Sequence, residues 1–426
     1  MTVGEGRAMN DQSRKTFSRR DFGKVSAAAG VAILSSKGAA AKESSETLKV
    51  GLLGCGGRGN GAAAQMLQGN ENVKLVALAD IFQDKVDGTR KRFENHKDPS
   101  IQTKVAIEDD HCFVGPEAYK DFLKTGIDIV IEGTLPYSRS KHFEAAVDAK
   151  KHVFTEKPAG VDPAGIRQFI AASKKAEEMG LSIVAGTQRR HQQVYVETID
   201  KIRNGAIGEI VAARAYWCGT LPFVRARRET WTTELEYRLR NWYSYCWACG
   251  DNIVEQHVHN LDVINWVKGG PPVSVFASGG RTWKPNEERF GDIYDHFSCD
   301  YEYADGTHMT SMSRHWDGAK GVFEEVVGTK GRSNCRDMGE NGIDPYVQEH
   351  IDLVKSIRGE GPYLNEGVQL AHGTLTAIMG RMSAYTGKKL TWDEALNSDL
   401  SIVPEKLDFN LAYPVGPVPS PGAHKI

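Results

Sequence analysis

The sequence is short of three things. It has no excess of positive charge: 53 lysines and arginines against 55 aspartates and glutamates give a net charge of −2. Residues 1–41 hold seven of those basic and three of those acidic groups, so the remainder carries −6. No basic stripe with interleaved aromatics remains, and this speaks against a nucleic-acid partner. It has no cysteine framework: seven cysteines, an odd number, stand at irregular spacings. Cys246 and Cys249 form CWAC, which admits a disulfide or redox pair. Without the strand-then-helix setting of a redox motif, the pair reads better as small apolar packing residues. Finally, it lacks a membrane-spanning run. The apolar stretch Val25–Leu34 falls well short of the roughly 20 residues a bilayer demands, so the chain is not expected to be transmembrane.

That short stretch has informative neighbours. Arg19-Arg20-Asp21-Phe22-Gly23-Lys24 precede it and Ala39, Ala40 and Ala41 follow. Paired arginines, a mild apolar segment and small residues are the layout of a removable twin-arginine export signal; a disordered N-terminal arm is the alternative. Residues 1–41 are therefore set aside from the fold. The protein is expected outside the cytoplasm, periplasmic or otherwise extracytoplasmic. Export by that route carries folded cargo, often with a cofactor inside.

Beyond residue 46 the chain alternates. Five short β-branched runs, 47–54, 74–80, 127–134, 151–156 and 181–187, have the length of buried parallel strands. Helical stretches separate them, among them 139–151 and 162–180; the second opens on Asp162 and Pro163 and closes on Gly180. Alternating β and α predicts an open, doubly wound parallel sheet over 46–190. After about residue 205 the runs lengthen and turn residues separate them, with an Asp-Gly hairpin signal at Tyr303–Gly306. A second, α+β domain over 191–390 with a large, mainly antiparallel sheet is expected. Helices return at 345–358 and 366–386 and are expected to pack back on the first domain. The Pro- and Gly-rich tail, within 391–426, reads as an arm.

The first run leads into GCGGRGNG, where Gly54, Gly56 and Gly59 fit G-x-G-x-x-G around Arg58. Such glycines permit a tight turn, a close backbone approach to a pyrophosphate, and close packing of helix on strand. The amides of the following helix would face the phosphates. Asp80 closes the second run 24 residues after Gly56; it suits ribose hydroxyls and repels a 2′-phosphate, which favours NAD over NADP. Thr134, closing the third run, and Glu156, closing the fourth, fall at the carboxyl ends where such sheets hold ligands. Lys157 follows in TEKPAG and can hydrogen-bond a substrate hydroxyl or move its proton.

A second polar cluster lies in GDNIVEQHVHNLDVINWV, residues 250–267. Glu255 and His259 share a face if the stretch is helical, with His257 turned away; if it is extended, all three share one side. Histidine is the natural proton shuttle near neutral pH. Two histidines at i, i+2 do not share a helical face, so no metal centre is expected.

Taken together, Gly54-x-Gly56-x-x-Gly59, Glu156-Lys157-Pro158 and the Glu255…His259 element resemble the Gfo/Idh/MocA family, the group of glucose–fructose oxidoreductase and inositol dehydrogenase. The resemblance runs from 47 to about 390 and includes VGTKGRSN. It implies an NAD(P)-binding Rossmann domain, a second sheet domain that supplies the substrate face and an oligomer interface, and a sugar or polyol substrate. The family's lysine maps to Lys157, and its Asp-x-x-x-His pair maps to Glu255 and His259, with glutamate replacing aspartate. His257 stands where glycine is common, and Thr134-Leu135-Pro136-Tyr137 replaces a Thr-Pro turn with a histidine. A related branch, the NAD-dependent α-N-acetylgalactosaminidases, implies an alternative: redox-neutral glycoside hydrolysis, with His257 as the matching histidine. A non-catalytic NAD-containing binding protein is a third reading. The loop 225–247, rich in Trp, Tyr and Arg, reads equally as a sugar-binding surface or as a flap or oligomer contact.

Overall fold

The computed structural model describes residues 46–413 and 416–424, so the expected export signal lies outside the described residues. The first sheet has six strands: β1 (Leu48–Leu53), β2 (Val73–Asp80), β3 (Cys112–Val114), β4 (Ile129–Glu132), β5 (His152–Thr155) and β6 (Ile183–Ala185). Their order is β3-β2-β1-β4-β5-β6, and every pairing is parallel. The near-continuous burial of β1, β4 and β6 explains why these runs lack alternation: both sheet faces are covered. The three-residue β3 escapes a reading by periodicity because it is too short to display one, and TEKPAG therefore follows the fifth strand rather than the fourth.

Helices α1 (Gly57–Gly69) and α2 (Gln83–Glu94) cover one face of this sheet, and α3 (Arg139–Asp148) and α4 (Pro163–Glu178) the other. The start of α4 follows its sequence signals. Asp162 Oδ1 accepts from Gly165 N at 2.8 Å, Pro163 fills the first turn, and Gly180 takes the left-handed conformation (φ +67°).

The second sheet holds β7 (Ile210–Gly219), β8 (Ser274–Gly280), β9 (His296–Glu302), β10 (His308–His315), β11 (Gly321–Gly328), β12 (Gly331–Ser333) and β13 (Leu390–Thr391), in the order β12-β11-β7-β10-β9-β8-β13. It is antiparallel except where β10 returns parallel to β7. The β9–β10 turn closes at Gly306 (φ +81°), as Asp305-Gly306 demands. Helices α5 (Val258–Lys268) and α7 (Gly367–Thr386) pack on one face of this sheet. The last helices also reach back. On α6 (Pro345–Arg358), Leu353, Val354 and Ile357 are buried in the same cluster as Leu48, Val50 and Leu67. At about 1.5–3 kcal/mol per buried side chain, this is a strong attachment. α7 lies between α4 and the second sheet. Among the described residues, no helix is long and apolar enough to cross a membrane.

Candidate functional site

A groove of about 1350 Å³ runs along the carboxyl ends of β1, β2 and β4. Gly54, Gly56, Asp80 and Thr134 line it. Gly54 adopts φ +100°, where a side chain would also press on Gly133. A Cβ on Gly59 would stand 1.9 Å from Gly54 O, so helix and turn touch through bare backbone. A Cβ on Gly56 would meet nothing within 4 Å: that backbone faces open space, at the start of α1. Asp80 accepts from Cys55 N (2.7 Å) and Phe82 N (3.0 Å), and burial raises its pKa. This is a backbone cradle for a pyrophosphate with an acid placed for a ribose, and NAD fits it.

Beside the groove is a proton-handling corner. β5 lies next to β4, with Thr155 opposite Glu132, so the turn after β5 is one strand over from Thr134. There Lys157 Nζ donates to Glu255 Oε1 (2.7 Å) and to the Glu255 carbonyl (2.6 Å), across the junction of the two sheets. Beneath it Arg139, almost wholly buried, donates to Glu132 (2.8 Å) and to Pro158 O (2.8 Å), and so fixes the lysine turn. The Lys157–Pro158 peptide is cis. His259 stacks on Trp217, with ring centroids 6.0 Å apart. Burial, with the charges of Lys157, Arg189 and Arg58, holds its imidazole well below the usual pKa, hence neutral. Its Nδ1 has no hydrogen-bond partner among the described residues.

Other expected site residues lie elsewhere. The chain turns helical at 258, with His257 at the N-cap of α5. His257 is fully buried and its Nε2 meets Ser311 Oγ at 2.7 Å; burial pushes its pKa down to about 3. Glu255, His257 and His259 thus do not converge, and the grouping with metal-ligand spacing among the described residues is Glu108, Asp110 and His111. Arg58 and Glu156, expected at the cofactor, engage each other (2.5 Å), with Arg58 also over the Tyr346 ring. Neither lines the groove. Gly186 makes room for this pair, since a Cβ there would stand 2.7 Å from the Glu156 carboxylate. Cys246 and Cys249 are free thiols, and burial raises both, Cys246 to about 12.

Several site residues escape a reading of the sequence. Glu132 and Arg139 leave a faint signal, a charge closing the otherwise apolar run IVIE. The outer wall of the groove leaves less. It is formed by Arg225, Leu239, Arg240 and Trp242 from the 225–247 loop and by Val403–Leu407 from the C-terminal arm. The loop therefore forms part of the groove wall.

Comparisons with known proteins agree with this geometry. Residues 48–184 match the family model described as "Oxidoreductase family, NAD-binding Rossmann fold", and residues 195–333 match the GFO/IDH/MocA C-terminal domain. A myo-inositol 2-dehydrogenase of Thermotoga maritima is 23% identical over 378 residues, 80% of this chain and 96% of that one. The scyllo-inositol dehydrogenase of Lactobacillus casei, solved with bound NAD(H) and scyllo-inositol, superimposes with a TM-score of 0.62 at 19% identity, covering 82% of this chain and all of its own. An aldose–aldose oxidoreductase of Caulobacter crescentus, complexed with glycerol, gives 0.64 at 18% identity, covering 81% of this chain and all of its own. The two family models lie in order along one chain and together span well over half of it. The protein is an NAD-dependent oxidoreductase and belongs to the Gfo/Idh/MocA family.

Proposed function

We propose that the protein oxidises a ring hydroxyl of a cyclic polyol or sugar, and that it does so outside the cytoplasm. The observation that carries the chemistry is the contact of Lys157 Nζ with Glu255 Oε1 at 2.7 Å, beside a neutral His259. NAD, held by Gly54–Gly59 and Asp80, supplies the two-electron acceptor for the hydrogen on the hydroxyl-bearing carbon. The chain handles the other proton. Lys157 Nζ would hydrogen-bond the reacting hydroxyl, Glu255 would orient it, and the buried, unpartnered Nδ1 of His259 would accept the proton. Trp217, stacked on His259, offers an aromatic face of the kind a sugar ring packs against. The inositol dehydrogenases among the relatives support an inositol-like substrate.

The test is to incubate the protein with NAD and a panel of inositols, aldoses and their methyl glycosides, and to follow nicotinamide absorbance. Reduction with at least one cyclic polyol or sugar is expected; silence across the panel overturns the reading. Release of an aryl leaving group from aryl glycosides without net reduction would establish the redox-neutral alternative instead. What favours that alternative is the covered groove, since electrons returned to the same sugar spare the cofactor any exit.

Export rests on Arg19-Arg20 and the apolar run after them. R19K/R20K should abolish translocation of a reporter fused to residues 1–41. A second copy of the chain is the expected partner for the open face of the second sheet. That face carries Phe276, 60% exposed, and the Tyr216–Phe323 ring pair. It also bears both charge signs, in Arg214–Glu325 and His308–Asp300, and so suits a two-fold contact with itself. F276D should lower the mass measured by light scattering.

A further inference from the structure

Among the described residues, four that are not glycine take a positive φ: Asn72, Lys150, Asp251 and Cys335. Asn72 and Lys150 stand exposed ahead of β2 and β5, and Cys335 lies just after β12. Asp251 is set apart by place and by shape. It is fully buried, and its angles (φ +72°, ψ 167°) are a pair that glycine alone takes readily. It also opens the segment that carries the proton-handling residues of the second domain, four positions before Glu255 and eight before His259. Strain of this kind persists only where the surroundings impose it, and it gathers at functional sites.

Four donors impose it on Asp251. Oδ1 accepts from Asn252 N (2.6 Å) and Asn252 Nδ2 (3.1 Å), and Oδ2 accepts from Tyr294 N (2.8 Å) and the Tyr385 hydroxyl (2.6 Å). The backbone on either side is pinned as well. Arg381, itself buried, donates to Gly250 O (2.9 Å), and Ser313 donates to Asn252 Oδ1 (2.9 Å). The bend is thereby tied to α7, to β10 and to the chain entering β9. The Asp251 carbonyl passes this order forward. It accepts from Val254 N (3.1 Å) and Glu255 N (3.0 Å) and so starts a single helical turn over Asn252–Glu255. That turn does not run on into α5: His259 N points to Gln256 O (3.4 Å) rather than to Glu255 O. The Glu255 carbonyl is left for Lys157 Nζ, which it meets at 2.6 Å beside the 2.7 Å contact to the same residue's carboxylate. Both contacts fall on one ammonium because the turn begins where Asp251 starts it. Ordinary angles at 251 would send the chain, and Glu255 with it, in another direction.

We propose that Asp251 is a positioning residue for the proton-handling corner: its buried carboxylate clamps the backbone in a conformation that favours glycine, and so aims both Glu255 oxygens at Lys157. Glycine would take these angles freely but would bring nothing to hold them. Aspartate supplies the clamp. The effect of Asp251 on turnover rests on the reading of Lys157 and Glu255 given above. Its effect on the placement of the ammonium does not, and is measured without any substrate.

The test treats the full protein with trace acetic anhydride and follows the acetylation of each lysine by peptide mass spectrometry. Lys157 should react slowly in the wild type and about tenfold faster in D251G, as expected when a charge-assisted bond no longer holds its nitrogen. Lys104, as sheltered as Lys157 and held by Leu67 O and Asn70 O (2.9 Å each), should keep its rate, which separates a loosened turn from an unfolded chain. D251N keeps an acceptor for the Asn252 amide and tolerates a positive φ, so it should fall between the two. Turnover is then measured with the polyol or sugar that reduces NAD fastest. D251G should lower kcat about ten- to a hundredfold, with KM and NAD affinity within about twofold of the wild type. In an E255A background the same change should cost far less, because it acts through Glu255. Unchanged acetylation of Lys157 in D251G overturns the proposal. So does a rise shared by Lys104 in both variants, or a D251G loss that multiplies in full with that of E255A. If K157A and E255A turn over normally while D251G frees Lys157, the positioning stands and the catalytic reading of the corner falls instead.

Discussion

The two ends of the site are built on opposite plans. The cofactor end is backbone: a strand, a bare turn and a helix start, contiguous in sequence, with one acid at the next strand. The proton-handling end is side chain: Lys157 from the first domain and Glu255, His259 and Trp217 from the second, held over buried Arg139 and Glu132. The first plan fails when an atom is added; the second fails when one is taken away. That difference gives each end its own experimental signature.

The largest effect is expected from removing the lysine. K157A should lower kcat by about a thousandfold, within the usual range for a lost acid–base group, while NAD affinity by fluorescence titration stays within about twofold. If NAD affinity falls equally, the two ends are not separable. The converse is G56V. Nothing within 4 Å opposes the new Cβ, so the NAD-free protein should melt as the wild type does. NAD affinity should nevertheless fall about a hundredfold or more, because phosphate oxygens can no longer reach the amides. A lowered melting temperature without NAD would mean the turn is structural before it is functional. D80S should be milder. NAD should weaken by about tenfold as the ribose contact is lost, and NADP should gain as the repulsion is removed, which would sharpen the assignment of Asp80.

The smallest effect concerns neither end but the helix behind them. His191 lies between Asp352 (2.7 Å) and Glu366 (3.3 Å). Burial opposes its charge, but the two carboxylates prevail and hold its pKa up at about 10. The unfolded chain has an ordinary imidazole near ~6.5. The stabilisation is therefore complete below that value and is lost as pH rises through 10. H191Q should be less stable than the wild type by about 2 kcal/mol at pH near 6, and the two melting curves should converge as the pH approaches 10. A gap that widens with pH would show that the imidazole is neutral in the native protein.

The contrast between the ends also explains what the sequence could disclose. The cradle was legible because each of its requirements is local: Gly54, Gly56, Gly59 and Asp80 answer to a turn and a strand end. The corner was half legible. Lys157 follows a strand, and Glu255 and His259 are four apart, but choosing between His257 and His259 needs the residue at which the helix begins. A shift of that start turns the other imidazole outward. Arg58 and Glu156 are expected at the cofactor from where they stand in the chain. In space each is nearer to the other, with Gly186 leaving room for the carboxylate. The 225–247 loop and the C-terminal arm were legible only as a surface and a tail, since their place in one groove wall arises only when residues 82, 240 and 409 meet.

One feature of the fold has a bearing on how the protein is made. The core under β1 is completed by Leu353, Val354 and Ile357, and the groove by Val403–Leu407. A ribosome delivers Gly54 and Asp80 long before these. While the chain is still being synthesised, the nucleotide cradle exists only as an unsupported and uncovered half, with neither its last helix nor its outer wall. Capture of NAD should therefore become stable only after nearly the whole chain has emerged. Starving cells of nicotinamide should accordingly leave a protein of full length that is open to protease in the 225–247 loop and the 401–409 arm.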